Sequence, residues 1–173
     1  MILDIIEATG FRSVSDYGAG KCRLGTALQR KVKKLDYYPF DPAFPEYGSA
    51  KPADLVACID VLEHIELEYL DRVIMELASI TNKIGFFSIH TGPARKVLDD
   101  GRNAHLIQQP PSWWLEKLLP YFDVIQLAPV KRGFWVIVQK KGKNYADMFV
   151  RKPDYATFSG KMRRWLRRLV TPL

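Results

Sequence analysis

Apolar and polar positions along the chain fall into short runs of two different periods. Helical spacing marks Ile2 to Ala8, ended by Gly10, and Arg23 to Lys31 with Leu24, Ala27 and Leu28 on an inner face. It returns in Leu67 to Thr81, where Leu70, Val73, Ile74, Leu77 and Ile80 share a side, and in Ser112 to Tyr121 with Ser112 as cap. Between these lie runs rich in β-branched and aromatic residues: a short one ending at Asp16, Val32 to Asp41 broken by Pro39, Ala53 to Asp60, Ile84 to His90, Asp123 to Val130 and Gly133 to Lys140. The last two make a hairpin around Lys131-Arg132. Strands alternating with helices predict an α/β fold, a mainly parallel sheet with helices on both faces and an antiparallel last strand. The stretch 42–52, with Pro42, Pro45, Gly48 and Pro52, is too short for a further strand and crossover helix, so a third strand is expected to be reduced or absent.

The most informative stretch is Ser13 to Leu28, SVSDYGAGKCRLGTAL. A strand ends at Asp16, the chain passes through Gly18-Ala19-Gly20, and a helix begins. Glycines there allow a sharp turn and close backbone approach to a ligand, while amides at the helix start and an acid at the strand end offer complementary contacts. A dinucleotide pyrophosphate needs a third glycine where this chain has Arg23, so it fits poorly. Asp41 follows Gly20 by 21 residues, near the spacing at which an acid ending the second strand reaches ribose hydroxyls. An Asp-Pro turn without a ligand would use the same residues.

These residues resemble a family. D-x-G-x-G opening a helix is the first motif of class I S-adenosylmethionine-dependent methyltransferases, and Asp16 to Leu24, DYGAGKCRL, looks like the D-Y-G-x-G-K-G-R-L variant of small bacterial and phage members, with Cys22 at its last glycine. Phe40-Asp41-Pro42 resembles the second motif, and Asp54 to Ile65, DLVACIDVLEHI, resembles the fourth-strand segment. The likeness covers about residues 10–140. It implies a Rossmann-like methyltransferase domain over residues 1–142 and S-adenosylmethionine held by Asp16, Gly18, Ala19, Gly20, Asp41, Pro42, Asp60 and Val61.

In open α/β sheets ligands bind beyond the carboxyl ends of the strands, which brings Asp16, Asp41, Asp60 and His90 to one edge. Methyl transfer needs an acceptor atom held in line, and a base only where that atom carries a proton. His105 and His90 are the base candidates, and each also reads as a hydrogen-bonded structural histidine. The stretch 100–114 holds Arg102, Asn103, His105 and Trp113, a mix suited to a polar, planar or sugar-like acceptor. Asp60, Glu63 and His64 stand at i, i+3 and i+4, one helical face if the helix starts near Val61. With His105 they offer an optional site for Mg²⁺ or Mn²⁺. The pattern resembles that of metal-dependent small-RNA ribose methyltransferases, although D-V-L-E-H also occurs in methyltransferases without metal. No Asn/Asp/Ser-Pro-Pro-aromatic motif follows Asp60, which argues against methylation of a flipped base. The expected reaction is methylation of O or N on a small acceptor. The alternatives are a nucleic-acid ribose methyltransferase and a non-catalytic cofactor-binding subunit.

Composition adds bounds. A chain of 173 residues, 47% apolar, can bury one core. Its apolar runs are too short to span a bilayer and MILDIIEATG lacks signal-peptide features, so a cytoplasmic location is expected. Cys22 and Cys58 lack metal-type spacing. The net charge of +7 is skewed: from Lys140 onward ten Lys/Arg face only Asp147 and Asp154. Residues 143–173 therefore read as a basic extension, with Phe158, Met162, Trp165, Leu166, Leu169 and Val170 on one helical face and Lys161, Arg163, Arg164, Arg167 and Arg168 on the other. Such a helix packs on its own domain or a twin subunit, or meets nucleic acid or an anionic membrane surface.

Overall fold

The run Ala53–Ile59 is buried along nearly its whole length because strands flank it and side-chain layers cover both its faces, so it reads as continuous apolar sequence rather than alternation. Val56 and Cys58 face one layer, Leu55 and Ala57 the other. In the computed structural model, which describes residues 1–146 and 148, this run is the third strand of six. The strands are β1 (Ser13–Tyr17), β2 (Asp36–Phe40), β3 (Ala53–Ile59), β4 (Thr81–His90), β5 (Phe122–Val130) and β6 (Gly133–Lys140). The helices are α1 (Ile2–Thr9), α2 (Arg23–Gln29), α3 (Leu67–Ile80) and α4 (Pro111–Leu118), with 3₁₀ turns at Pro45–Tyr47 and Leu62–His64.

The sheet order is β2-β1-β3-β4-β6-β5. β1 to β4 pair in parallel, and β6 runs antiparallel between β4 and β5. The chain moves outward from β1 to β2 and then crosses back to β3, so the switch point lies between β1 and β3. One face is covered by α3 and α4, whose Leu70, Ile74, Leu77, Trp114 and Leu118 pack with Phe87 and Phe122. The other carries Ile2, Ile5, Ile6, Phe11 and Leu28 from α1, α2 and their flanks.

Several boundaries differ from the periodicity. Val32 to Leu35 lies ahead of β2 rather than in it, and Pro39 is tolerated because β2 is an edge strand paired only with β1. The stretch 42–52 contributes one 3₁₀ turn and no strand, as its length requires. In α2, Ala27 faces solvent while Gly25 is buried, where a Cβ would run into the Tyr37 ring. Helix α4 begins at Pro111 with Pro110 preceding it, a proline-led start that displaces Ser112 from the cap. Beyond residue 142 the chain still packs on the body: Tyr145 and Met148 lie against the α1 side of the core. The amphipathic segment 158–170 falls outside the described residues. Among those described, no helix is long and apolar enough to cross a membrane.

Candidate active site

The loop after β1 is shaped by its own hydrogen bonds. Gly18 has φ +81° and Gly20 φ +49°, conformations that side chains other than glycine's rarely adopt. At Gly18 a Cβ would collide with the Val61 side chain, so the glycine also sets how closely the loop meets the end of β3. At Gly20 a Cβ would meet nothing within 4 Å, which leaves open space over the turn. The amides of Gly18 and Ala19 both donate to the Phe40 carbonyl, at 2.8 and 3.0 Å. The Gly20 amide donates to Asp41 Oδ2 at 2.9 Å. These amides therefore fasten the loop to β2 and are not free to grip an anion, a correction to the expectation from the glycine motif. Asp41 Oδ1 accepts from the Ala43 amide, so Pro42 sits in an aspartate-initiated turn. Tyr47 on the 3₁₀ turn donates its hydroxyl to the Gly20 carbonyl at 2.9 Å, and the Cys22 thiol beside it pushes the phenol up to about 12. Sequence reading gave no role to Tyr47, since only the fold returns the 42–52 stretch to the loop.

Asp16 at the end of β1 is 5% exposed and accepts from the Tyr37 hydroxyl. Burial raises its pKa, the Tyr37 hydrogen bond lowers it by less, and nearby Asp41 adds repulsion. Asp60 follows β3 with φ +53°, and its Oδ1 accepts from Ser88 Oγ at 2.7 Å. None of Asp16, Asp41 and Asp60 joins an ion pair among the described residues. The end of the sheet at the switch point thus carries three carboxylates that have no ion-pair partner among the described residues.

The second half of the site differs from the sequence reading. After Asp60 the chain makes the 3₁₀ turn Leu62–His64, and α3 begins only at Leu67, so Asp60, Glu63 and His64 share no helical face. Asp60 turns to Ser88 and stays out of the cluster. Glu63, His64 and His105 come together instead, with one donor atom of each within 4.8 Å of the others. Glu63 is fully buried, and its Oε1 accepts from the His90 amide at 3.0 Å. Burial raises its pKa against that hydrogen bond. His64 and His105 ring centroids lie 4.8 Å apart, and those of His105 and His90 4.6 Å.

His90 opens onto a cleft of about 340 Å³ lined also by Asp60, Ser88, Arg132 and Trp135. None of the four residues expected to touch an acceptor, Arg102, Asn103, His105 and Trp113, lines it. Arg102 pairs with Asp100 and Glu66 on the surface, at 2.7 and 2.8 Å. Asn103 is held within its own loop: its Oδ1 accepts from the Ala94 and His105 amides and its Nδ2 donates to the Ala94 carbonyl. Trp113 packs against the α3/α4 core with Lys117 over its ring. Ser88 was within reach of sequence reasoning, because it lies two residues before His90 on the same face of a strand. Arg132 and Trp135 were not, since β6 reaches β4 by inserting between β4 and β5. A wider groove of about 530 Å³ along α3, lined by Tyr69, Arg72 and Met75, holds none of these edge residues.

No protein-family model matches the chain, and no curated protein does. Solved structures match it. An O-methyltransferase family protein from Burkholderia thailandensis aligns with a TM-score of 0.60 over 82% of this chain and 56% of its own, at 14% identity. The 1,6-didemethyltoxoflavin-N1-methyltransferase of the same organism, solved with that compound and S-adenosylhomocysteine bound, aligns with 0.58 over 80% and 75% at 13% identity. This is the class I methyltransferase fold. Magnesium protoporphyrin IX methyltransferase from Synechocystis, also with S-adenosylhomocysteine, aligns with 0.54 over 81% and 80% at 14% identity. The chain spans about half the length of the first of these and of a mitomycin 7-O-methyltransferase, 56% and 50%. Between β2 and β3 this chain has no strand, only the short turn that carries Tyr47.

Proposed function

We propose that this chain is an S-adenosylmethionine-dependent methyltransferase acting on oxygen or nitrogen of a small polar or sugar-containing acceptor. The observation that carries the reading is the set of three carboxylates, Asp16, Asp41 and Asp60, without an ion-pair partner among the described residues, around an open glycine turn at the switch point of a methyltransferase fold. A ligand with an ammonium, a sulfonium and a ribose diol supplies the positive charge that these carboxylates are not paired with, and further donors for their remaining lone pairs. Asp16 is the partner for the ammonium. Asp41 has lone pairs left on both oxygens, and a carboxylate accepts from two hydroxyls at once. Gly18, Ala19 and Gly20 give the turn its clearance, Pro42 shapes the turn that aims Asp41, and Val61 sets the loop's distance from β3. Bound S-adenosylmethionine would supply an electrophilic methyl group on sulfur.

The acceptor belongs in the cleft beside Asp60 and His90. Its volume suits a small molecule, and the structural neighbours include both O- and N-methyltransferases. His90 Nδ1 stands 3.2 Å from the Gly92 carbonyl, which also takes His105 Nδ1, and 3.3 Å from the Gly92 amide, which donates to it in the other tautomer. In the tautomer that donates to this carbonyl, Nε2 holds the free pair that takes the acceptor's proton. His105 lies behind His90 and does not line the cleft.

Calorimetry with S-adenosylmethionine and its demethylated product tests the cofactor. Both should bind, and Asp41→Ala should weaken binding. No heat from either compound on folded protein ends the proposal. Transfer of labelled methyl into cell extract should place the label among small molecules. Label in nucleic acid favours the rival reading through the basic residues beyond Lys140, and binding without turnover favours a non-catalytic subunit.

A further inference from the structure

We propose that Glu63, His64 and His105 form a site for a divalent transition-metal ion, with Zn²⁺ the ion of choice. Three independent observations converge on it. One donor atom from each of the three side chains lies within 4.8 Å of the other two. Glu63 is fully buried, yet its Oε2 has no hydrogen-bond partner. Native proteins leave few such atoms, and a ligand there would complete the oxygen's coordination. Finally, His64 Nδ1 lies 2.7 Å from the Ala104 carbonyl and His105 Nδ1 2.6 Å from the Gly92 carbonyl. Each carbonyl fixes the tautomer with the proton on Nδ1, which leaves both Nε2 lone pairs free. Metal-binding imidazoles are oriented in this way.

The surrounding chain is built to hold this arrangement. The segment 91–110 is pinned by Asn103 and by the Ala104 amide on the Lys96 carbonyl, and the Ile107 amide donates to the Glu63 carbonyl at 3.1 Å. His105 is thus clamped over the turn that carries Glu63 and His64. His64 is the exposed member, so an ion has a route in. Two imidazoles and one carboxylate favour zinc over magnesium, which prefers oxygen ligands. Asp60 belongs to Ser88, so the set is three residues rather than four. Zinc at about 2.0–2.1 Å from its ligands holds tetrahedral donors roughly 3.3 Å apart, so the donors draw inward on binding, His64 moving most freely. The fourth position stays open to water or to an acceptor oxygen. That last role rests on the methyl-transfer reading; metal binding does not.

The full chain, stripped with chelator, is titrated with Zn²⁺ by calorimetry and with Co²⁺ by visible ligand-field absorption. One equivalent should bind, and Co²⁺ should give the bands of a low-symmetry four-coordinate site. His105→Ala and Glu63→Gln should each weaken Zn²⁺ at least about 10-fold, while Asp60→Ala leaves its affinity unchanged. If Glu63→Gln fails to fold, His64→Ala at the exposed position reads the same loss. Absence of stoichiometric binding, an affinity in the His105→Ala and His64→Ala variants equal to that of the unsubstituted chain, or a preference for Mg²⁺ would each overturn the site. None of these readouts depends on methyl transfer.

Discussion

Two corners of the same sheet edge each hold a buried acid whose pKa is raised by burial, and they are finished in different ways. Asp16 is answered by Tyr37, and the amides of the loop beside it are answered by Phe40 and Asp41. Glu63 is answered on one oxygen only, and two imidazoles next to it keep a free nitrogen. The first corner holds its shape by itself and presents carboxylates to whatever arrives, so little ordering is needed on binding. The second is complete only with a partner that none of the described residues supplies. A cofactor loop and an ion site need these opposite designs.

The largest expected effect breaks the first corner. Gly18→Ala meets both a collision with Val61 and a positive φ, and should cost about 3 kcal/mol or more in urea unfolding. Gly20→Ala meets only the backbone term and should cost about 1–2 kcal/mol. Val61→Ala introduced beside Gly18→Ala should recover part of the loss, and strict additivity of the two would show that Val61 does not set the turn.

Next is Tyr37→Phe, which keeps the ring over Gly25 but leaves Asp16 without its donor, at a cost of about 1–3 kcal/mol. Asp16→Asn sharpens the comparison through pH. Because Asp16's pKa is higher in the folded protein than in the unfolded chain, the folded state binds its proton more tightly. Its contribution to stability is therefore greatest below the ordinary Asp value, about pH 4, and is lost as pH climbs from there toward the raised value. The Asn variant should flatten that fall by up to about 1.4 kcal/mol per pH unit, and an unchanged slope would remove Asp16 as its source. Smallest is Arg102→Ala, whose ion pairs are exposed: stability should change by less than about 1 kcal/mol, and cofactor affinity not at all.

The order of strands and helices was legible from local periodicity, as was the absence of a strand in 42–52, because chain length alone forbids a crossover there. The resemblance around Asp16 to Gly20 pointed to the right fold. The i, i+3, i+4 reading of Asp60, Glu63 and His64 failed because Asp60 takes a left-handed conformation and Ile65 an extended one, which confines the helical turn to three residues. Arg102 and Asn103 looked like acceptor contacts by composition, yet an amide with two donors and a carbonyl is equally suited to stapling a loop.

By itself the sequence determined the alternation of elements, the carboxylates at the strand ends and the glycine turn, since each follows from backbone propensity and burial within a few residues. Only tertiary structure decided which donors remain unsatisfied. Whether an amide, a carboxylate oxygen or an imidazole nitrogen is free depends on what distant segments place against it: Phe40 against Gly18, Tyr37 against Asp16, Gly92 against His105. Such pairings arise from sheet order and loop return, which no local pattern encodes.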